Sequence, residues 1–330
     1  MQEGASVIQA SIGLPWLVAD IGGTNARFGW IADAAEGVTH VQTLPVAEYP
    51  SIGDAVTAYL SRLGASARPR RAAIAVATAV AGDWVDFTNS HWAFSRQALQ
   101  AQLGLDLLLV LNDFEALALS LPRLGAGQLR SEGSLPVPRG TLAVIGPGTG
   151  LGVAGVKETA HGWLALAGEG GHATLAPMDD FEDALLRHVR KEFQHVSAER
   201  LLSGIGLPVL HRAVAAVAGV DAGPLPAEAV VERGLSGVDS VCDRTLDAFC
   251  ALLGGFAGSV ALTFGARGGV YIGGGIVPRL GDRFFRSRFR ERFEAKGRFK
   301  SYLEPVPTVV IVDTLAALSG AALAIEQHGR

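Results

Sequence analysis

LVADIGGTNARFGW, Leu17–Trp30, sets an acid, two glycines, a threonine, an asparagine and an arginine between two apolar runs. The glycine pair punctuates the chain, and apolar alternation resumes after it, so the segment reads as a strand, a turn at Ile21-Gly22-Gly23-Thr24 and a second strand. Such a turn is either a plain sheet reversal or a phosphate cradle. Successive backbone N–H groups in a glycine turn converge on an anion because no Cβ blocks its approach. The chain carries no GxxxxGK[ST] and no GxGxxG leading into a helix. A phosphate site here is therefore a hairpin and not a helix-capping loop.

The same pattern returns in LAVIGPGTGLGVAGV, where Gly148-Thr149 superposes on Gly23-Thr24 at an offset of 125 residues. A repeat of this kind suggests two related α/β units facing each other. Gly146-Pro147-Gly148-Thr149-Gly150 again lies between apolar strands and again offers a threonine hydroxyl. Asp20 precedes the first turn, whereas Ile145 holds the equivalent place in the second. An acid beside a phosphate turn repels the ligand unless a cation bridges them, which points to Mg²⁺ held by Asp20 through water. The alternative is that Asp20 caps the turn by accepting its N–H groups. A third cluster, Gly273-Gly274-Gly275 after GVYI, is either a close approach for a flat nucleoside or a tight bend.

The 330 residues set a prior of about two domains. Hydrophobic residues make up 49%, charged residues 18%, and only two cysteines occur. Cys242 and Cys250 lie eight residues apart, about two helical turns, and read as buried small apolar residues in a reducing compartment. No CxxC or Cys/His cluster supports a zinc site. A net charge of −4 argues against generic nucleic-acid binding. The exception is Gly281–Lys300, with eight basic and three acidic residues. Phe285, Phe289 and Phe293 recur there every four residues, so an amphipathic helix with a solvated arginine face is expected. The N-terminus lacks a basic n-region and a small-residue cleavage site, which reads against a signal peptide. Ala248–Ala266 carries no charge but contains four glycines, and a buried core helix is expected in place of a membrane span. A soluble protein follows.

Apolar, β-rich runs lie at 15–19, 72–80, 107–111, 141–145, 270–272 and 308–312, with helical patterns between several of them. Ser95 and Gly104 bracket one helix. Asp179 with Glu182 forms a capping box for another. SAERLLSG predicts a third, from Ser197 to Gly204. Strands alternating with helices indicate an α/β protein. The Gly-, Pro- and Ser-rich stretch 123–140 is the expected crossing between domains.

LLLVLNDFEALAL runs a strand into Asn112-Asp113 and then a helix. Ligands bind at the carboxyl ends of strands in α/β folds, and a carboxylate there accepts a proton from a substrate hydroxyl; equally, Asp113 is a common type of helix N-cap. AGEGGHATLAP places Glu169 and His172 around two glycines in a loop, a pattern suited to polyol recognition or to a structural histidine. Glu199, as second residue of the expected helix, is accounted for by the macrodipole alone.

Together these residues resemble the bacterial glucokinase family, in the branch without the zinc-binding cysteines of the ROK sugar kinases. The resemblance rests on DIGGTNAR, DWVDFTNSHWAFS, NDFEALALSLP, GPGTGLGVA, GEGGHATLAP, SAERLLSGIGL, GGVYIGGGIVPR and KGRFKSY, in the family's order from about residue 15 to 303. It implies an α/β fold of two RNase H-like, actin-like ATPase domains with an interdomain cleft: a small domain of 1–122 plus 314–330 and a large one of 123–313. It implies ATP with Mg²⁺, phosphorylation of glucose at its 6-hydroxyl, and a cytoplasmic homodimer with no nucleic-acid or membrane partner. By motif, Asp113 is the general base with Asn112 beside it on the sugar, and Glu169, His172 and Glu199 are glucose contacts, the helix-end role of Glu199 coexisting. Asp20, Ile21, Gly22, Gly23 and Thr24 match one phosphate turn, Gly148, Thr149 and Gly150 the other, and Gly273, Gly274 and Gly275 the nucleoside side. VDTLAALSGAA lacks the Pro-Gly pair associated with that position, which puts the detail of that junction apart from the family. The residues before Leu14 match nothing and are expected to form a mobile tail. The expected activity is ATP:glucose 6-phosphotransfer; a kinase for another hexose and a catalytically silent sugar-binding regulator are the alternatives.

Overall fold

The computed structural model describes residues 13–64 and 67–328; the expected N-terminal tail lies outside them. The chain is a mixed α/β protein that divides into two compact units. The first is drawn from Met1–Leu124, Glu158–Ala167 and Thr314–Arg330, the second from Gly125–Lys157 and Gly168–Asp313.

In the first unit, β1 (Trp16–Ile21), β2 (Asn25–Ile31), β3 (Thr39–Pro45), β4 (Arg71–Val76) and β7 (Leu107–Asn112) form one sheet in the order β3-β2-β1-β4-β7. A two-stranded ribbon of β5 (Trp84–Asp86) and β6 (Ala93–Ser95) stands apart from it. Strands β1, β4 and β7 run parallel, and β2 returns antiparallel to β1. Strand β1 is apolar throughout except at Asp20 because it is covered on both faces. Leu17, Ala19 and Ile21 pack with Phe28, Val56 and Tyr59 on one side. Trp16 and Val18 pack with Leu318, Ala321 and Ile325 of the helix Ala316–His328 on the other. That helix also touches the helix Asp113–Ser120 so closely that a Cβ on Gly320 would lie 1.7 Å from the Ala116 carbonyl oxygen. Gln327 fastens the hairpin at Gly162 into this unit, accepting from Trp163 N–H and donating to its carbonyl at 2.8 Å. A sequence-local reading of residues 123–313 as one body has no access to that tie.

The register sets what the first unit can do. Ile21 pairs with Val76, and Val76 with Asn112, in a single row at the carboxyl ends of three parallel strands. The first glycine turn and the Asn112-Asp113 corner therefore leave the same edge of one sheet, two strand spacings or roughly 10 Å apart.

The second unit repeats this plan. Strands β8 (Leu129–Arg130), β9 (Thr141–Pro147), β10 (Leu151–Thr159), β12 (Gly269–Ile272) and β13 (Thr308–Ile311) follow the order β10-β9-β12-β13-β8, while β11 (Gly162–Leu166) continues from β10 within the segment assigned to the first unit. Here too an antiparallel hairpin, β9–β10, opens onto parallel strands, β12 and β13. The 125-residue offset is thus a repeat of topology, with β9 in the role of β1.

The helix Ser240–Phe264 forms the centre of this unit. Asp239 caps it by accepting from Val241 and Cys242 N–H at 2.9 and 3.0 Å, and Gly265 ends it in the left-handed region. By length and composition it could cross a membrane, but 83% of its most apolar window is buried within the protein. Its glycines serve packing: a Cβ on Gly254 or Gly258 would meet the carbonyl oxygens of Phe289 and Phe293 at 2.2 and 2.4 Å. Cys242 and Cys250 are free and buried on it.

Three sequence expectations need correction. Residues 197–204 are successive turns: Arg200, Leu201 and Leu202 donate locally to Ser197 and Ala198, while Ala198 donates to Ala173, Glu199 to Gly171 and Gly204 to Gly148, at 2.7–2.9 Å. Glu199 therefore has no helix dipole beside it. The basic segment is no single solvated helix but a run of short ones, including Asp282–Arg286 and Phe289–Glu294. Two of its arginines turn inward to carboxylates: Arg292, 6% exposed, lies between Asp179 and Glu182, and Arg283 spans Asp243 and Asp247, whereas Arg286, Arg288 and Arg298 are exposed as a solvated face requires. At the helix Asp180–Val189, Asp179 does cap Glu182 N–H at 2.9 Å, but the Glu182 carboxylate accepts from Met178 N–H at 2.7 Å, one residue before a capping-box partner.

Candidate active site

The first turn is closed by Gly22 N–H donating to the Asn25 carbonyl at 3.0 Å, with Thr24 exposed at its tip. Gly23 is required by packing, since a Cβ there would sit 2.5 Å from the Asn89 carbonyl oxygen. Asp20 does not cap the turn. It pairs across the hairpin with Arg27, whose guanidinium donates to Oδ2 at 3.1 Å. Burial holds the Asp20 carboxyl above its usual range, and the Arg27 charge and hydrogen bond oppose that shift. Sequence reading did not foresee Arg27, although an acid and a base at facing hairpin positions are a visible cross-strand pair.

No group of three or more His, Cys, Asp or Glu able to cage a metal occurs among the described residues. Mg²⁺ asks for less: one or two carboxylates, with phosphate and water completing its shell. Asp20 meets that requirement, as a largely buried carboxylate with a single protein partner at the end of a glycine turn.

At the other end of the same row, Asn112 and not Asp113 is the N-cap. Asn112 Oδ1 accepts from Phe114 N–H at 2.9 Å, and its amide donates to the Thr78 carbonyl at 3.2 Å. Asp113, the first helical residue, also accepts from Phe114 N–H at 2.9 Å. With the cap supplied by its neighbour, Asp113 is not needed for that task. Glu115 completes the corner. Burial raises its carboxyl above the usual range, opposed by a hydrogen bond from the Asn112 N–H. Asn112 at N-cap and Glu115 at N3 make a capping-box-like pair, with Asn112 accepting from the N2 amide of Phe114, and its Asn-x-x-Glu signature stands in the sequence.

In the second unit the Gly148 N–H donates to the Gly150 carbonyl at 2.9 Å, leaving Thr149 exposed as Thr24 is. A Cβ on Gly148 would meet nothing within 4 Å, so the space beside the turn is clear there. Gly274 is a packing glycine: it has φ +75°, and a Cβ would lie 2.4 Å from the Pro147 carbonyl oxygen. The tight-bend reading holds for that residue, while Gly275 faces open space.

Glu169, His172 and Glu199 come together. His172 Nδ1 lies 3.8 Å from Glu199 Oε1, and its Nε2 lies 4.0 Å from Glu169 Oε2. Glu169 and His172 are exposed, whereas Glu199 is half-buried and accepts from Leu151 N–H at 2.9 Å. Two carboxylates flanking an imidazole, Glu169 and His172 from the glycine-rich loop and Glu199 from a second loop, present acceptors and a donor together, the groups that the hydroxyls of a polyol require.

Comparison with known proteins places these features in a family. A glucokinase sequence profile matches residues 17–328. A glucokinase from Chromobacterium violaceum is 51% identical over 325 residues, covering 96% of this chain and 92% of the relative. The crystal structure of a glucokinase from an Antarctic psychrotroph superposes with a TM-score of 0.87 at 41% identity, covering 94% of this chain and 98% of that one. A ROK family glucokinase from Streptomyces griseus, solved with glucose and AMPPNP, shares the fold at 20% identity, with a TM-score of 0.62 over 94% of this chain and 98% of that one.

Proposed function

The chain belongs to the glucokinase family, and from that premise we propose how its residues carry out the reaction. The activity is ATP-dependent phosphorylation of D-glucose to glucose 6-phosphate. We assign Asp113 as the general base that takes the proton of the 6-hydroxyl as that oxygen attacks the γ-phosphorus. A positioned base contributes roughly 10²–10⁴-fold. Phosphoryl transfer asks otherwise for alignment and for offset of negative charge. The threonines of the two turns, 21–24 and 148–150, and those backbone N–H groups that do not close the turns as Gly22 and Gly148 do, serve the phosphates, and Gly273–Gly275 the nucleoside side. Asn112, Glu169, His172 and Glu199 orient the sugar hydroxyls. Asp20 is the residue that would hold Mg²⁺, through water; when bound, the ion supplies positive charge against the phosphate oxygens.

One observation carries the assignment. The in-register row Ile21–Val76–Asn112 sends a glycine turn and a carboxylate corner from the same edge of one sheet, as a phosphate site and a base must be. The family resemblance supports the remaining proposals. The chain is an actin-like sugar kinase of two RNase H-like domains, a small one built on 1–122 with 314–330 and a large one built on 123–313 apart from the hairpin segment 158–167, which groups with the first unit, and the enzyme works as a cytoplasmic homodimer feeding glycolysis.

The test is ADP production by the purified protein with ATP and Mg²⁺ across glucose, mannose, fructose, glucosamine and N-acetylglucosamine. Glucose should give the highest kcat/KM. A higher value for another hexose overturns the substrate assignment, and no turnover with any sugar favours a silent sugar-binding regulator.

A further inference from the structure

We propose that Gly150 and Leu151, in the second glycine turn, are positioning residues for Glu199, so that the nucleotide turn and the sugar site share one carboxylate. This rests on the assignment of Glu199 to the sugar. Leu151 N–H donates to Glu199 Oε2 at 2.9 Å. A Cβ on Gly150 would lie 2.4 Å from that same oxygen and 3.3 Å from Glu199 Cδ. On the far side of Thr149, a Cβ on Gly148 would meet nothing within 4 Å. The two glycines of the turn thus have different reasons to be glycine. Gly148 borders open space, and Gly150 makes room for a carboxylate 49 residues further along the chain.

Further bonds stitch the same three loops together. Gly204 N–H donates to the Gly148 carbonyl at 2.7 Å, and Glu199 N–H to the Gly171 carbonyl at 2.9 Å. A Cβ on Gly171, beside His172, would collide with the Leu151 carbonyl oxygen at 1.9 Å. A sugar that fixes the Glu199 carboxylate therefore fixes the Leu151 N–H, and a phosphate that shifts the turn shifts the carboxylate. Linkage makes such a coupling reciprocal: each ligand changes the affinity of the other by the same factor.

Substitution at Gly150 separates this role from phosphate contact. In Gly150→Ala the clash is with the end of a flexible side chain, so the fold persists and the carboxylate moves, losing its bond to Leu151. A hydrogen bond to a charged group is worth about tenfold or more in affinity. Glucose binding measured by calorimetry with no nucleotide present should weaken about tenfold in Gly150→Ala and stay unchanged in Gly148→Ala. Wild-type glucose affinity in Gly150→Ala overturns the proposal. Glu199→Gln distinguishes the two levels: unchanged glucose affinity there means that Glu199 is not a sugar ligand, and the underlying assignment fails. Weakened binding there with unchanged binding in Gly150→Ala defeats the positioning role alone. A readout on the wild-type protein needs no variant: glucose without nucleotide should slow deuterium exchange in the peptide spanning residues 147–153. Unaltered exchange contradicts the shared carboxylate.

Discussion

Gly320→Ala tests how the fold places Asp113, the proposed base. Gly320 lies on the helix Ala316–His328 where it crosses the helix that begins at Asp113. An added Cβ would stand 1.7 Å from the Ala116 oxygen, 2.7 Å from its carbon and 2.9 Å from Ser120 N, all backbone atoms with no rotamer to relieve them. Carbon and oxygen approach to about 3.3 Å. The two helices must separate by roughly 1.6 Å at this crossing, the difference between that contact and the distance found. Overpacking of this kind costs about 1–3 kcal/mol. Asp113 sits one turn from Ala116, and a 1 Å misplacement of a reacting group costs on the order of 100-fold. The expected result is a loss of stability of about 1–3 kcal/mol in urea unfolding together with a kcat lowered roughly 10–100-fold. The KM for ATP should move less, because the first turn hangs on β1 and not on the helix that begins at Asp113. A variant with wild-type kcat and unfolding midpoint refutes the reasoning, since it would mean that this crossing is slack. A destabilised variant with wild-type kcat would show that the Asp113 corner is held by its own capping pair, Asn112 and Glu115, independently of the helix below it.

Other perturbations read the second unit. His211 is 1% exposed with no hydrogen-bond partner for either ring nitrogen, and burial lowers its pKa, with Asp239 opposing and Arg212 and Arg233 reinforcing the shift. The folded state keeps it neutral, so its contribution is complete above the unfolded value of about 6.5 and falls by at most about 1.4 kcal/mol per pH unit below it; His211→Leu should flatten the acid limb of a stability–pH curve relative to wild type, and parallel limbs contradict this. Arg292→Met removes the cation between Asp179 and Glu182, where Glu182 is 2% exposed; urea unfolding at pH 8 should show a loss of about 3–5 kcal/mol. Burial already holds the Glu182 carboxyl above its usual range, with the Met178 N–H and Arg292 opposing. Without the arginine Glu182 takes a proton more readily, so the loss should shrink at pH 5; an equal loss at both pH values argues against an uncompensated Glu182 charge.

The parts legible in the sequence are those specified by near neighbours. Both glycine hairpins are written in local alternation and turn residues, and Asp179, Ser95 and Gly104 act at the helix ends their residue types announce. What failed is governed by partners far away in the chain. Nothing within 197–204 reveals that Ala198, Glu199 and Gly204 will be tied to Ala173, Gly171 and Gly148, and the helical pattern there gives only successive turns. Arg283 and Arg292 of 281–300 read as part of a solvated face until Asp179, Glu182, Asp243 and Asp247 are brought against them. The candidate site shows the same division. Asp113 and Asp20 are marked by strand ends, whereas the bond from Leu151 to Glu199 and the packing role of Gly274 exist only in three dimensions. Glu115 and Arg27 were within reach of sequence rules, a capping box and a cross-strand pair, and carry no functional motif of their own.

The central claim is that Asp113 takes the proton during phosphoryl transfer from ATP to glucose. Asp113→Asn keeps the size of the side chain and removes the basic oxygen, and single-turnover kinetics alongside glucose calorimetry separates chemistry from binding. The expected result is a rate of phosphoryl transfer lowered by about 10²–10⁴ with glucose affinity retained. Near-normal transfer in that variant would contradict the account.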